Sequence, residues 1–454
     1  MKVLTIGGAV PYRTHSEAGV TAANIVLYAV LGGLVRLGHQ VVLQLLFNEY
    51  RESVNLSASE EAELQHLAEL GVDVLLPIFP GEYRRVGRPS MQLVRVMRAV
   101  RRGLGRNGFK HFYPAVCLQE RIQERIHEHG IDVVLTIWSP EGIGATHGIP
   151  GVPRIAYHGD IDFGPPAARM RDRALFSLPQ NRRSPSRLLW DSLRERMWLA
   201  SFKRAHLNLM RGLDVIANVT ACNADYYTAE GHKRSIYVGN VWPDPAAETP
   251  PAGDPIPSHH LSSRPIKIIG HVGKLGQTGS TYGLRFLLAE LLPELDRAMD
   301  GLDYEVHIIG GGQIVPALRP MLSQPRLLLR GFVEDLDGEF RSSDVFLLLN
   351  NAGSYQAAYT RHVVAWAQGL CLIVHENSCR AIPEIRHMEN ALVGSTPADI
   401  ARMVRLAATD PELNLRLRKG GRATYEQFFT PAAVAQALAA EIGWAVSSWR
   451  ERRS

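Results

Sequence analysis

The sequence is poor in cysteine, and the four residues of this type in the 454-residue chain are Cys117, Cys222, Cys371 and Cys379. Because none of them forms a C-x-x-C pair, the pattern predicts neither a zinc site nor a disulfide framework and fits a reduced cytosolic protein. Long hydrophobic runs are also missing. The most apolar helical stretch, Ala22 to Leu37, is interrupted by glycines and an arginine, and it falls short of the roughly 20 apolar residues that a membrane span needs. The sequence therefore predicts no transmembrane helix.

The chain has no strong excess of either charge, since 50 Lys and Arg residues oppose 45 Asp and Glu residues, and 46% of its residues are hydrophobic. This composition excludes a disordered or fibrous protein, and the length predicts two domains. The small basic excess is unevenly placed. The segment between Glu82 and Glu120 contains nine basic residues and no acidic one. Such a segment predicts a partner of negative charge.

Short β-branched runs, among them "VDVLLPI", "RIAYH" and "IKIIGHV", alternate with helical patterns, which predicts parallel, doubly wound α/β sheets. The alternation stops between residues 243 and 264, where six prolines and very few large apolar residues predict a linker. We therefore predict two facing Rossmann-like domains, over residues 1–242 and 265–430, and a last helix over 431–454 that packs back on the first domain. A ligand is expected between the domains, at the carboxyl ends of the strands.

The second domain opens with a strand that ends at Val272 and is followed by a glycine-rich loop. Such a loop presents backbone N–H groups and a helix N-terminus to a phosphate, and Lys274 adds a positive charge. The loop matches neither G-x-G-x-x-G nor the P-loop, so a plain β-to-α turn is the alternative. Gly310 is a second such position, where a structural turn explains the glycine equally well. The glycines of the first loop are Gly273, Gly276, Gly279 and Gly283.

Polar side chains follow the predicted strand "RIAYH" in the first domain. His158, Asp160 and Asp162 stand at its carboxyl end, where they are expected to face the crevice. A histidine there can donate a hydrogen bond to a hydroxyl or a phosphate, and an aspartate can accept one from a sugar hydroxyl. The alternative is an Asx-type turn with a hydrogen-bonded histidine.

Ordered motifs in the second half of the chain resemble the C-terminal domain of the retaining, family four glycosyltransferases. They are "GHVGKL", "EVHIIGGG", "LRGFVEDLDGEF", "AWAQGLCLIV" and "AIPEIRHMENALV". The resemblance covers most of residues 266 to 430 and is weaker in the first domain. It implies the GT-B architecture, in which the second of two facing Rossmann domains holds most of a sugar nucleotide. It further implies transfer of a sugar, with retention, from a nucleotide-diphosphate sugar to a glycan or a lipid-linked acceptor, without a further cofactor.

The resemblance also implies functions for matching positions. Lys274 takes the place of an arginine that binds the diphosphate, and Phe332 and Val333 take the place of a loop that meets the nucleobase. Gly19 matches a glycine-rich turn of the first domain that approaches the donor phosphates. His158 and Asp160 match polar residues beside the transferred sugar and the acceptor.

Two departures from the family pattern affect this site. The two glutamates of the family, separated by seven residues, correspond to Gln356 and Val364, so both carboxylates are absent. The second phosphate-binding basic residue, expected just before Gly283, is Tyr282. Arg361, at the start of the same short helix as Val364, can supply the missing charge, and a surface arginine is the alternative. Front-face transfer mainly requires stabilisation of the departing diphosphate, which cations and N–H groups can provide without a carboxylate or a metal.

These observations define the predicted site. The predicted catalytic residues are His158, Asp160, Lys274 and Arg361. The predicted donor-binding residues are Gly19, Gly273, Lys274, Gly310, Phe332, Val333, Gln356 and Arg361. The alternatives are a GT-B sugar-nucleotide epimerase, a related hexosyl transferase and a non-catalytic sugar-nucleotide-binding protein. An NAD-dependent dehydrogenase is disfavoured, because "GGAVPYRTHSEAG" after the first strand is not a dinucleotide fingerprint.

The basic segment contains an amphipathic pattern, in which arginines alternate with apolar residues at helical spacing. In a second arginine-rich stretch, residues 169–211, the aromatic residues Trp190, Trp198 and Phe202 are interleaved with the arginines. Together they predict a cytoplasmic enzyme that is peripheral on the inner, anionic face of the membrane. The alternative is a core-facing helix with a solvated arginine side, and a nucleic-acid partner is disfavoured because no known nucleic-acid module is present. The arginines of the first helix are Arg95, Arg98, Arg101, Arg102 and Arg106.

Overall fold

The computed structural model describes residues 1–14, 20–48, 51, 53–83, 112–176, 185–245, 264–351, 355 and 360–453, with residues 185–189 and 191 described by their backbone alone. The strands of the first sheet are β1 (Lys2–Gly7), β2 (Gln40–Leu45), β3 (Val72–Val74), β4 (Val133–Ile137), β5 (Arg154–His158), β6 (Val215–Asn218) and β7 (Ser235–Tyr237). The strands of the second are β8 (Ile266–Val272), β9 (Tyr304–Ile309), β10 (Leu327–Gly331), β11 (Val345–Leu348), β12 (Leu372–His375) and β13 (Leu392–Gly394).

Both sheets are parallel and have the strand order expected of Rossmann-like domains. The first has the order β3-β2-β1-β4-β5-β6-β7 and the second β10-β9-β8-β11-β12-β13. The order reverses between β1 and β4 in one sheet and between β8 and β11 in the other, and ligands of such sheets bind at the carboxyl ends of the strands beside this reversal. The predicted fold class is therefore confirmed. Of the predicted linker, residues 243–245 and 264 are described.

Helices connect the strands in both domains. Those of the first are α1 (Ala22–Arg36), α2 (Ala58–Glu69), α3 (Pro80–Tyr83), α4 (Gln119–Glu128), α5 (Pro140–Ala145), α6 (Gly164–Arg171), α7 (Arg173–Phe176), α8 (Pro185–Arg211) and α9 (Ala221–Ala229). Those that follow are α10 (Thr278–Phe286), α11 (Leu292–Ala298), α12 (Leu336–Arg341), α13 (Arg361–Ala367), α14 (Ser378–Ala381), α15 (Pro397–Thr409), α16 (Pro411–Phe428) and α17 (Pro431–Glu451).

Local sequence explains where these elements begin and which residues they bury. All five residues of β4 are buried, because helices cover both faces of a parallel sheet and leave no solvated side. The last three helices each begin with a capping residue followed by proline, which tolerates the first helical position because its missing N–H has no partner there. The cap side chains of Thr396, Asp410 and Thr430 each accept a hydrogen bond from the backbone N–H three residues later.

The last helix, α17, lies against α1 of the first domain. The two helices approach closely at Gly33, where an added Cβ would lie 2.5 Å from the Cβ of Ala435 and 2.8 Å from the carbonyl oxygen of Pro431. Arg234 of the first domain also donates to the carboxylate of Glu441 at 2.6 and 2.8 Å. The end of the chain therefore contributes to the first domain.

We expect Gly33→Ala to lower the free energy of unfolding by about 1–3 kcal/mol, because the added methyl group overpacks the contact between α1 and α17. Gly32→Ala is the matched control, since its Cβ would meet only the Arg36 guanidinium, at 3.7 Å. Without a clash, alanine should stabilise the helix by about 0.5–1 kcal/mol relative to glycine. Urea unfolding of the two variants measures the difference, and equal effects would contradict this packing.

Candidate functional site

The candidate site lies where α6 of the first domain meets the N-terminal half of α10 in the second. Nε of Arg169 donates to the hydroxyl oxygen of Thr278 at 2.9 Å. The hydroxyl of Tyr282 donates to the carboxylate of Asp172, and the Phe176 ring packs edge-on against the Tyr282 ring at 5.5 Å. Position 282, where the family places a basic residue, is thus occupied by a tyrosine that contacts the other domain.

Two glycine loops pack against each other at the carboxyl ends of β8 and β9. Gly310 has a positive φ of +123°, and a Cβ there would lie 2.1 Å from the carbonyl oxygen of Gly273. The backbone N–H of Leu275 donates to the Gly311 carbonyl at 3.0 Å, which holds the loops together. The structure therefore brings the predicted residues Gly273 and Gly310 side by side, and this packing alone requires a glycine at 310.

The N-terminus of α10 follows the first of these loops. Its first turn is buried, including Thr278, Ser280 and Thr281. Gln277, at the N-cap, makes no side-chain capping hydrogen bond. Backbone N–H groups in the first turn of a helix have no partner within the helix and favour negative charge nearby. This end of α10 is accordingly suited to an anionic ligand.

Arg361 reaches this turn from α13. One terminal nitrogen of its guanidinium donates to the Ser280 hydroxyl at 3.0 Å, and the same nitrogen lies 3.2 Å from where a Cβ on Gly273 would stand. Burial, and then the charge of Arg361, hold the pKa of the buried His271 well below its ordinary value. The structure thus places a fixed positive charge beside the glycine loop and a neutral imidazole next to it.

The other predicted donor residues lie at the same edge of the second sheet. Lys274 is exposed in the loop after β8. Phe332 is 55% exposed directly after β10, and Val333 beside it is half-buried. Their roles stay predictions. Gly19, Gln356 and the arginines of residues 95–106 lie outside the described residues.

His158, at the end of β5, is only 2% exposed, and its Nε2 has no hydrogen-bond partner among the described residues. Its ring packs against those of His206 and Tyr227, with centroids 5.8 and 5.9 Å away. Burial lowers the pKa of His158 to about 4, so the imidazole is neutral near pH 7. Asp160 follows it in a half-exposed position. The catalytic roles of both residues stay predictions.

A buried polar cluster beside His158 was not predicted. The Tyr113 hydroxyl lies 2.8 Å from both Asp162 Oδ2 and His206 Nδ1, and His206 Nε2 lies 2.6 Å from the Tyr227 hydroxyl. Burial raises the pKa of Asp162, but the hydrogen bonds and charge interactions with His206, His158 and Tyr113 together outweigh burial, so the pKa lies below its ordinary value and the carboxylate stays ionised. Because Asp162 stands two residues before α6, the cluster anchors the helix that carries Arg169.

Trp138, directly after β4, has a strained backbone. Its φ is +46°, a conformation that bulky residues rarely adopt, and its indole N–H is buried without a partner among the described residues. The ring lies 3.6 Å from where a Cβ on Gly159 would stand. Strain of this kind is often found at ligand sites, and no local sequence pattern predicts it.

His362, the neighbour of Arg361, is buried in an aromatic cluster. The rings of Trp366 and Phe429 lie 5.5 Å away at nearly right angles, and neither imidazole nitrogen has a partner among the described residues. Burial lowers the pKa of His362 from 6.5 to about 3. Below about pH 6 the unfolded chain therefore binds a proton here that the folded chain excludes, so stability falls as the pH falls.

We expect His362→Phe to remove this part of the pH dependence. Between about pH 6 and pH 5, the unfolding free energy of the wild type should fall by about 1 kcal/mol more than that of the variant. Between about pH 7.5 and pH 8.5 their difference should stay constant, which separates titration from any change in packing. Urea unfolding across this range tests the expectation, and parallel pH profiles would contradict it.

Across the described ranges, no group of three or more His, Cys, Asp or Glu side chains is arranged to hold a metal ion. No helix within those ranges is long and apolar enough to cross a membrane. Metal-independent catalysis stays a prediction.

Comparisons with known proteins agree with this geometry. The family model Glycosyl transferases group 1 matches residues 266–410, whereas no curated protein matches the chain. A glycosyltransferase structure from Rickettsia africae ESF-5 is 12% identical with a TM-score of 0.56, and the match covers 98% of each chain. Sucrose-phosphate synthase from Thermosynechococcus elongatus is 12% identical with a TM-score of 0.56, over 99% of this chain and 100% of that one. HepE from Anabaena, in complex with UDP, is 12% identical with a TM-score of 0.53, over 98% and 100%.

At this identity the solved structures establish the fold, and the family model identifies the second domain. The predicted resemblance to glycosyltransferases is thereby confirmed. The chain is a two-domain GT-B protein of the transferase class, and its residues 266–410 form a domain of the Glycosyl transferases group 1 family.

Proposed function

We propose that this protein transfers a sugar, with retention, from a nucleotide-diphosphate sugar to a glycan or a lipid-linked acceptor. The contact of Arg361 with Ser280, beside Gly273, carries this proposal. It sets a fixed positive charge against an uncapped helix N-terminus at the carboxyl edge of the second sheet. Negative charge grows on a diphosphate as the sugar departs, and preorganised cations and N–H groups stabilise it without a carboxylate.

The solved relatives support the class of donor. Structures of Anabaena HepE hold UDP, UDP with glucose, and UDP-glucose. In the proposed reaction, the acceptor oxygen forms a bond to the anomeric carbon on the face from which the diphosphate oxygen leaves. The acceptor proton passes to the departing phosphate, so no protein carboxylate has to act as nucleophile or base. The protein orients both substrates and stabilises the leaving group.

Other groups at the carboxyl ends of the two sheets have proposed functions in the same reaction. Lys274 adds a second cation at the loop after β8, and the Phe332 ring offers a surface on which a nucleobase can stack. Asp160 accepts a hydrogen bond from a sugar hydroxyl. No resident cofactor is required, because the donor itself supplies the leaving group.

A thermal-shift panel of UDP-, GDP-, ADP- and CMP-sugars tests the donor site. We expect sugars of one base to stabilise the wild type, and Lys274→Ala to reduce that stabilisation. If no nucleotide sugar shifts the melting temperature of the wild type, or if the variant shifts equally, the proposed donor site is wrong.

Sugar transfer should continue in the presence of a metal chelator. Activity that is lost there and restored by Mn²⁺ or Mg²⁺ would refute metal independence.

We further propose that the first domain docks on an anionic membrane surface, where a lipid-linked acceptor would be found. Helix α8 presents an exposed apolar stripe, with Trp190 71%, Leu193 48% and Met197 36% exposed. These positions share one helical face, and the exposed Arg204 continues it. Apolar and aromatic side chains beside arginines are typical of helices that lie in a lipid interface.

Vesicle binding tests the membrane proposal. We expect replacement of Trp190 and Leu193 by serine to weaken binding to phosphatidylserine-containing vesicles about 10-fold or more, because two inserted apolar side chains are lost. Replacing Arg95, Arg98, Arg101 and Arg102 together by glutamine should abolish binding. The control is a variant in which Arg402 and Arg416, both exposed in the second domain, are replaced by glutamine. Unchanged binding of the first two variants would contradict the proposal.

A further inference from the structure

Helix α10 lacks the second basic residue that its family places at position 282. In this chain, Tyr282 uses its hydroxyl to contact Asp172, and the same oxygen lies 3.4 Å from the carbonyl oxygen of Ala168. Its ring packs edge-on against the ring of Phe176, which also belongs to the first domain. The side chain is therefore committed to the contact between the domains and has no charge to offer a phosphate.

A cation reaches the same turn from the opposite domain. Arg169, on α6, places its guanidinium against Thr278, the first residue of α10, through the 2.9 Å bond from Nε. An arginine has four further N–H donors besides Nε, in a planar fork that suits phosphate oxygens. Arg169 is exposed at the domain boundary, whereas Thr278 beneath it is buried.

Two arginines from different domains thus each contact the first turn of α10. Arg169 contacts Thr278, and Arg361 contacts Ser280, two residues further along. The uncapped end of α10 adds its partial positive charge to theirs.

Buried polar atoms at this turn also indicate a missing ligand. The hydroxyl of Thr281 is 1% exposed and has no partner among the described residues. The same holds for Nε2 of His271, which is 3% exposed and lies close to Arg361. Buried polar groups in native proteins almost always have partners, so unpaired atoms in this turn and close to Arg361 point to a site for an anion with several acceptor oxygens.

We propose that Arg169 is a diphosphate-binding residue, supplied by the first domain in place of the basic residue that Tyr282 replaces. The inference rests on the proposed function, because it takes the nucleotide-sugar donor as given. Arg169 and Arg361 hold the diphosphate from two sides, against the N-terminus of α10. The donor site is therefore complete only while α6 and α10 are in contact, and donor binding favours the closed arrangement of the domains.

Calorimetric titration of the full-length protein tests the assignment, with UDP, GDP, ADP and CDP and their four nucleosides as probes. Arg169→Gln should weaken the best-bound diphosphate on the order of 10- to 50-fold, as expected for a lost charge-assisted bond. The matching nucleoside should bind within about twofold of its wild-type affinity, because it has no phosphate. Arg169→Lys should give an intermediate loss, since the charge stays but the fork is lost.

Two matched variants separate phosphate binding from mere contact between the domains. Arg171→Gln changes an exposed arginine at the end of the same helix and should leave every affinity unchanged. Tyr282→Phe removes the bond to Asp172 without changing any charge, so it should affect diphosphate and nucleoside alike. If Arg169→Gln instead weakens both probes equally, or neither, the assignment is overturned. If the wild type binds none of the four diphosphates, the proposed function itself is wrong, whatever the effect of the Arg169 variants.

Discussion

Arg361→Gln is expected to lower kcat/KM by about 100- to 1000-fold, the effect of removing one preorganised group that stabilises a developing negative charge. Glutamine keeps a hydrogen-bond donor near Ser280, so the contact with α10 can survive while the charge is lost. The loss should therefore be larger in kcat than in the affinity for the donor sugar, because the diphosphate gains negative charge as the bond to the sugar breaks.

Arg402→Gln, at a side chain that is 71% exposed on α15, is the control and should keep its activity within about twofold. Urea unfolding of both variants shows whether the fold is retained. Full activity of a folded Arg361→Gln variant would show that the diphosphate does not bind at this turn. No turnover by a wild type that binds nucleotide sugars, even with a cognate membrane fraction, would favour a non-catalytic binding protein.

Gly310→Ala is expected to destabilise the protein by about 2–4 kcal/mol, because it combines backbone strain with a steric clash. The residue has φ +123°, and its Cβ would lie 2.1 Å from the backbone oxygen of Gly273, which cannot move as a flexible side chain does. Displacing Gly273 also shifts the loop against which Arg361 is packed. We therefore expect nucleotide affinity to fall about 10-fold or more in any folded fraction, as for a loosened binding site.

Gly311→Ala is the neighbouring control, since a Cβ there meets nothing within 4 Å. It should leave both stability and affinity nearly unchanged. The two variants add the same methyl group at neighbouring positions. Similar urea midpoints for both would therefore show that the two glycine loops are not packed as described.

The fold was predictable because its signals are local. Apolar runs such as "RIAYH" and "IKIIGHV" coincide with β5 and β8 residue for residue. The run "VDVLLPI" gave a strand of three residues only, Val72–Val74, because Pro77 has no N–H with which to continue the ladder. β13 was not predicted, since three residues, Leu392–Gly394, carry no periodic signal.

The site was less predictable because its contacts join distant parts of the sequence. Arg361 was predicted, since it occupies the short helix that replaces a family motif. Arg169 and Thr278 are 109 residues apart, and Tyr113 and Asp162 are 49 apart. No local spacing connects such pairs. Only the fold, which sets α6 against α10, brings the second arginine to the helix end.

The position of α17 has a consequence for how the chain is made. A ribosome completes β1 to β7 well before it reaches residue 431, yet the helix that covers α1 begins there. During that interval the apolar face of α1 around Gly33 stays uncovered, and such surfaces favour aggregation or capture by chaperones. The first domain therefore reaches its final form last, and truncation anywhere before residue 431 should damage the half of the protein that has already been synthesised.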